Sequence, residues 1–288
     1  MRTAGERLHY AINHITAPKL GWRDVAGVAA DLGLRGLELR TDLGRPLFDG
    51  DAPSEVRDTL EEMGLTLLAL AEVSAFNDGS DRVLSETAEL ARLAAESGAR
   101  SVIFIPRVGG APVDYDPLCR SLEAIKPILM AAGVRGLIEP IGFEASTLRD
   151  FAKARCAIDT VDGGETFGVV HDTFHHHLSG GGTPSARYVE LIHVSGVCSG
   201  ISARDMRDDD RGFVDADDVL GNAAQLAILR AEGCTAPASM EAFSPSVHAI
   251  SDPREALRGS FDRLEIALSG AMTPRGLSSE TAPSGVPV

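Results

Sequence analysis

The 288-residue chain predicts an α/β fold, a (β/α)8 TIM barrel. Eight apolar, β-prone runs alternate with amphipathic helical stretches over about 260 residues, the size and strand count of such a barrel. The helical stretches stop repeatedly at a glycine just before the next strand. A doubly wound sheet, the competing α/β architecture, would more often carry a phosphate-binding G-x-G-x-x-G turn after its first strand. Here residues 13–18 read Asn-His-Ile-Thr-Ala-Pro instead.

The predicted strands cover residues 8–15, 36–40, 65–73, 101–106, 135–140, 168–172, 191–197 and 237–243. Between them, Val25, Val28, Ala29 and Leu32 recur at helical spacing and mark the inward face of the first helix. Val56, Leu60 and Met63 mark the second, and Leu84, Ala88, Ala91 and Ala95 the third. Gly33, Gly64, Gly98, Gly133 and Gly233 close helices, since glycine takes the positive φ of a C-terminal cap without strain. The pattern predicts one barrel domain over residues 8–270. Residues 271–288, rich in Pro, Ser, Gly and Thr, are expected to form a flexible tail.

Composition bounds the function. The net charge is −15, from 42 acidic and 27 basic residues. That balance argues against nucleic acid, whose phosphates need clustered Lys and Arg. No apolar run approaches the ~20 residues that cross a bilayer, and the N-terminus carries no signal-peptide core. The four cysteines are scattered, with no C-x-x-C pair, and read as reduced thiols of a cytoplasmic protein.

Four strands end in a metal-seeking side chain. They are Gly136-Leu-Ile-Glu139, Gly168-Val-Val-His-Asp172, Leu191-Ile-His193 and Ala238-Ser-Met-Glu241. A Glu closing a buried strand is costly unless it is paired or metal-bound. A lone His in an apolar strand is usually a hydrogen-bonded core residue, but here three carboxylates end the neighbouring strands. In a barrel, strand C-termini converge on the active-site mouth. Two Glu, one Asp and one His there form a mixed O/N site for a divalent cation.

Other residues near strand ends are candidates for substrate contact. Asp172 is followed by three histidines, and His175, three residues on, is expected to face the site. His171 should point away from the barrel interior, and His176 and His177 read as helix-start residues. The acidic segment 205–215 follows the seventh strand. It reads either as a solvated charge run or as a lid whose Arg211 neutralises a substrate oxygen. Asn13, Arg40, Glu72 and Arg107 lie near the ends of the first four strands and could meet substrate hydroxyls.

Glu139, Asp172 with His175 in a D-x-x-H pattern, His193 and Glu241 together resemble the xylose-isomerase-like TIM barrels. Within that superfamily the chain looks most similar to the inosose (2-keto-myo-inositol) isomerases of inositol catabolism. The similarity rests on Ile12-Asn-His-Ile-Thr-Ala-Pro18, the Leu-Glu-Leu-Arg segment ending at Arg40, Leu137-Ile-Glu-Pro-Ile-Gly-Phe-Glu144, Val170-His-Asp-Thr-Phe-His-His176, Ile192-His-Val-Ser-Gly196, Asp205-Met-Arg-Asp208 and Val247-His-Ala-Ile-Ser-Asp-Pro253. It covers nearly the whole chain except the tail.

The resemblance implies one divalent ion on Glu139, Asp172, His193 and Glu241, with Mn²⁺ placed first and Co²⁺, Zn²⁺ or Mg²⁺ as alternatives. It implies that Glu139 and Glu241 also transfer protons and that His175 partners a substrate oxygen. The expected reaction is isomerisation of a cyclic polyol ketone or related sugar through a cis-enediolate. Alternatives on the same site are a ketose 3-epimerase, a hydroxypyruvate isomerase and a 3-dehydroshikimate dehydratase. A non-catalytic sugar-binding barrel is the alternative outside enzymes. The partner expected is a small polyol or sugar, with self-association left open. The endonuclease IV branch, with its multi-histidine site and basic surface, does not match this composition.

Overall fold

A computed structural model of the chain describes residues 8–272. Its strands are β1 (Tyr10–Asn13), β2 (Gly36–Arg40), β3 (Thr66–Ser74), β4 (Ser101–Ile105), β5 (Arg135–Ile138), β6 (Phe167–Asp172), β7 (Val189–Val194) and β8 (Ala238–Met240). They pair in sequence order, all parallel, and β8 returns to β1 to close the barrel. Each predicted strand run overlaps one of these, and the 36–40 run matches β2 at both ends.

The helices are α1 (Trp22–Asp31), α2 (Pro53–Glu62), α3 (Asp81–Ser97), α4 (Tyr115–Ala132), α5 (Phe151–Thr160), α6 (Thr173–Leu178), α7 (Asn222–Ala231), α8 (Pro245–His248) and α9 (Arg254–Met272). The predicted glycine stops hold. Gly33, Gly64, Gly98, Gly133 and Gly233 all have φ between +64° and +86°.

Two expectations need correction. The inward face of α3 is Val83, Thr87, Leu90, Ala91 and Ala94, while Ala88 and Ala95 are exposed. Alanine suits either face of a helix, so an alanine-rich helix does not fix its own rotation. The expected tail starts inside α9 at residues 271 and 272, because the helix runs on to Met272. Residues 273–288 lie outside the described part. No helix among the described residues is long and apolar enough to cross a membrane.

Period-2 alternation sorts each strand into two layers. Outward residues such as Ile12, Leu37, Leu39, Phe104, Ile138, Val169, Ile192 and Met240 pack with helix residues such as Val25, Leu60, Leu129 and Leu229. Ala11, Leu68, Ile103, Leu137, Val170 and Leu191 form a separate apolar plug inside the barrel. Two residues further along their strands come Asn13, Glu139, Asp172 and His193, all buried. The alternation that places Leu137, Val170 and Leu191 in the plug therefore also turns the polar residues inward, one layer nearer the mouth.

Candidate active site

Glu139 follows β5, Asp172 ends β6, His193 lies in β7 and Glu241 follows β8. Their positions are fixed by the ladder. Asp172 is the register partner of His193. The Glu139 amide donates to the carbonyl of Phe104, and the Glu241 amide to that of Val194, at 3.0 and 2.9 Å. One donor atom from each of the four side chains falls within 4.8 Å of the others, and all four residues are buried.

His193 Nδ1 faces this group, 3.1 Å from Glu139 Oε1, 3.1 Å from Glu241 Oε2 and 3.9 Å from Asp172 Oδ2. The opposite ring nitrogen, Nε2, lies 3.0 Å from Glu38 Oε2. Donors opposite one another on an ion with bonds of about 2.1 Å are about 4.2 Å apart. Shifts of under about 1 Å would therefore close the four around a divalent cation. Three carboxylates and one imidazole suit such an ion chemically.

A positive charge already lies against two of these oxygens. Arg211 Nη2 donates to Asp172 Oδ2 at 2.6 Å and to Glu241 Oε2 at 2.7 Å. The guanidinium is 1% exposed, so the solvated-run reading of its segment does not hold for this residue. Ser195 Oγ accepts from its Nε at 3.1 Å, and the rings of Phe174 and Phe243 lie 4.9 and 4.7 Å from its Cζ. The Phe243 and Ser244 amides both donate to the Arg211 carbonyl. A reciprocal pair of backbone hydrogen bonds joins Gly196 to Gly212. A Cβ at Gly196 would sit 2.3 Å from the Phe213 carbonyl oxygen, so the close approach requires glycine there.

The other oxygen of Glu241 is held from β1 and β2. Asn13 Nδ2 and Arg40 Nη1 each donate to Oε1 at 3.1 Å. Arg40 is itself anchored by Asp42 and by Glu72, at 2.7 and 3.1 Å. Asn13 and Arg40, expected as substrate contacts, are therefore at the centre but donate to Glu241, with Glu72 one step behind them. Arg107 is not at the centre; it pairs with Asp78.

The histidines separate. The His175 amide donates to Asp172 Oδ1 at 2.9 Å, while its buried Nδ1 has no hydrogen-bond partner. Phe143 and Phe174 meet its ring edge-on. His171 turns away from the interior, toward Gln225 of α7 at 2.8 Å. His176 packs on Phe151 and His171.

Charge polarises the site. Burial pushes Glu139 up to about 8; His193 opposes the shift and Glu241 adds to it. Burial also acts to raise Glu241, but the charges of His193, Arg211 and Arg40 outweigh it and hold this carboxyl well below its usual range. Asp172 is likewise lowered, against the effect of burial, chiefly by Arg211 and His175. Burial disfavours the charged form of His193, yet Glu241, Glu38 and Glu139 together raise it well above the ordinary histidine value. For His175 burial wins, and the ring is held below that value.

Glu38 is the site residue that sequence reasoning missed. It lies in β2 between Leu37 and Leu39, which face the helices, and it is fully buried. The available signal was the i, i+2 pair Glu38 and Arg40 on one face of a strand whose other face is apolar.

Residues 26–266 match the family described as xylose isomerase-like TIM barrel. No curated protein matches the sequence. Among solved structures, a xylose isomerase domain containing protein from Salmonella typhimurium LT2 is similar at 26% identity and a TM-score of 0.85. The match covers 93% of this chain and 100% of that one. IolI, solved with a zinc atom, is 18% identical with a TM-score of 0.79, over 92% of this chain and 99% of its own. An L-ribulose 3-epimerase is 18% identical with a TM-score of 0.70, over 92% and 95% of the two chains. At 18% identity the last two likenesses speak for the fold.

Proposed function

The chain belongs to the xylose isomerase-like TIM barrel family, and on that premise we propose that it is a divalent-metal-dependent isomerase of a cyclic polyol ketone, or of a related sugar. The observation that carries the proposal is the buried convergence of Glu139, Asp172, His193 and Glu241 within 4.8 Å. These four residues would hold the ion, with Mn²⁺ first and the zinc of the IolI neighbour as the obvious second. When bound, the ion would polarise the substrate carbonyl and acidify the adjacent C–H.

The rest of the chemistry falls to the chain's own groups. Glu139 and Glu241 reach the site from β5 and β8, three strands apart, so one carboxylate can take a proton from carbon and either can return it. The path runs through a cis-enediolate of the substrate. A positioned general base contributes on the order of 10²–10⁴-fold. Arg211 presents a buried guanidinium, and His175 a neutral ring with an uncommitted Nδ1, to oxygen that gains charge along the way. Asn13 and Arg40 hold Glu241 in orientation.

A ketose 3-epimerase is the second reading. Carboxylates entering from two sides suit proton return to the opposite face of one carbon, and L-ribulose 3-epimerase is among the structural neighbours. The substrate in either case is a small polyol or sugar, and the scattered thiols support a cytoplasmic location.

The test is deuterium wash-in from D₂O with the Mn²⁺-loaded protein and a panel of inososes and ketoses. Exchange next to the carbonyl is expected for at least one member. Product analysis separates isomer from epimer. Glu241→Gln should keep most of the ion and lose about 10²-fold or more of the exchange. His193→Ala should lose the ion itself. Absence of exchange across the panel would leave a sugar-binding barrel as the better reading.

A further inference from the structure

Glu38 is a fully buried carboxyl in the barrel wall, where an apolar residue would cost less. Its strand neighbours Leu37 and Leu39 join the helix-facing core, so alternation turns Glu38 inward. The ladder fixes its height, with Asn13 its partner on β1 and Ala69 its partner on β3. Glu38 Oε2 meets His193 Nε2 at 3.0 Å, and Oε1 is buried with no hydrogen-bond partner. The carboxyl thus has one polar contact, and that contact is the far nitrogen of the candidate ligand ring.

A neutral imidazole has one N–H and one lone pair. If Nε2 carries the hydrogen and donates it to Glu38, the lone pair is left on Nδ1. Nδ1 is the atom 3.1 Å from both Glu139 Oε1 and Glu241 Oε2. Metal-ligating histidines commonly donate their other N–H to a carboxylate, which fixes the tautomer and the ring plane. We propose that Glu38 is a positioning residue: it holds His193 as the Nε2–H tautomer and aims Nδ1 at an ion shared with Glu139, Asp172 and Glu241. The inference rests on the metal-centre reading above. It adds that affinity for the ion is set partly from β2, a strand that carries none of the four ligands.

Two measurements test it, neither using turnover. The first is zinc affinity, with Zn²⁺ alone as the probe, by competition against a chromophoric chelator. Glu38→Ala should weaken binding by about 100-fold. Glu38→Gln, whose amide oxygen can still accept the Nε2–H, should weaken it by about 10-fold. The second is ¹⁵N NMR of histidine-labelled, zinc-loaded wild-type protein, in which His193 should carry its hydrogen on Nε2. A purely space-filling Glu38 would lower the melting temperature of the metal-free variants and leave the zinc affinity of the folded protein within twofold of wild type. That result, or a hydrogen on Nδ1 of His193, overturns the proposal. If neither variant folds, the wild-type tautomer decides. Wild-type protein that binds no zinc overturns the metal centre and this inference with it. Zinc binding that is indifferent to Glu38 overturns this inference alone.

Discussion

In the half of the barrel built by β5 to β8, each strand delivers one ligand-type side chain to the centre: Glu139, Asp172, His193 and Glu241. In the half built by β1 to β4, Asn13, Glu38, Arg40 and Glu72 lie around the centre, and none belongs to that group of four. They hold it instead. Asn13 and Arg40 grip one oxygen of Glu241, Glu38 meets the back of His193, and Glu72 anchors Arg40. The difference suggests a division of labour: one half carries the chemistry and the other sets its geometry. Arg211 is the exception, since it comes from the loop after β7, in the half that carries the four, yet serves them as a counter-charge.

The sharpest way to test that exception is Arg211→Ala. Removing the guanidinium leaves two buried carboxylates, Asp172 and Glu241, without their closest cation. Breaking such a buried pair costs about 3–5 kcal/mol. The metal-free variant should melt well below wild type, and a bound divalent ion should restore much of the loss. Turnover of the loaded variant should fall on the order of 10²–10³-fold, the usual cost of losing a donor aimed at developing charge. Calorimetry with and without Mn²⁺, alongside kcat and KM, separates the two effects. Wild-type behaviour in both would remove Arg211 from the role of counter-charge and of substrate partner.

The two halves should also differ in their proton linkage. Without metal, Glu139 is raised to about 8 and His193 lies well above its ordinary value, so both hold a proton at pH 7. Glu241 and Asp172 are lowered and hold none. Ligands must lose their protons to bind, so ion uptake at pH 7 should release about two protons. Affinity should then fall about 100-fold for each unit of acidification below pH 7. Above about 8 the slope should ease, as Glu139 gives up its proton unaided. Titration calorimetry in buffers of different ionisation enthalpy counts the protons. Arg40→Lys, in the supporting half, should leave that count unchanged. A count near zero would mean that the ion does not sit on Glu139 and His193.

Much of this comparison was legible in the chain, and unevenly so. The ligand half was readable because each of its strands is apolar up to one polar residue, and strand ends converge in a barrel. The supporting half was harder to see. Glu38 sits in Leu37-Glu38-Leu39-Arg40, whose alternation reads equally well as a half-exposed strand. Only barrel closure makes its polar face an interior one. Arg211 was legible as a candidate, but its burial was obscured for another reason. Its neighbours are Asp208, Asp209 and Asp210, the composition of a wet loop, and its burial depends on Asp172, 39 residues earlier. Contacts of that range leave no local pattern. The rotation of α3 escaped because alanines lie on both of its faces.

The smallest expected effect comes from Asn13→Ala, and it tests whether the supporting half only supports. The substitution removes one hydrogen bond to Glu241 Oε1, at 3.1 Å, and leaves Arg40 Nη1 on the same oxygen. A hydrogen bond to a charged group is worth about 1.5–3 kcal/mol. With the guanidinium still in place, the low end applies, or about 10-fold in kcat/KM. Asn13 Oδ1 also accepts from the Ile15 amide, so stability should drop by about 1 kcal/mol from the lost cap. Ion content should not change, because Glu241 keeps its other oxygen toward His193 and Arg211. A loss of the ion in Asn13→Ala would place β1 among the ligand strands and end the division. A loss of turnover as large as that of Arg211→Ala, with the ion intact, would instead give Asn13 a direct hold on substrate.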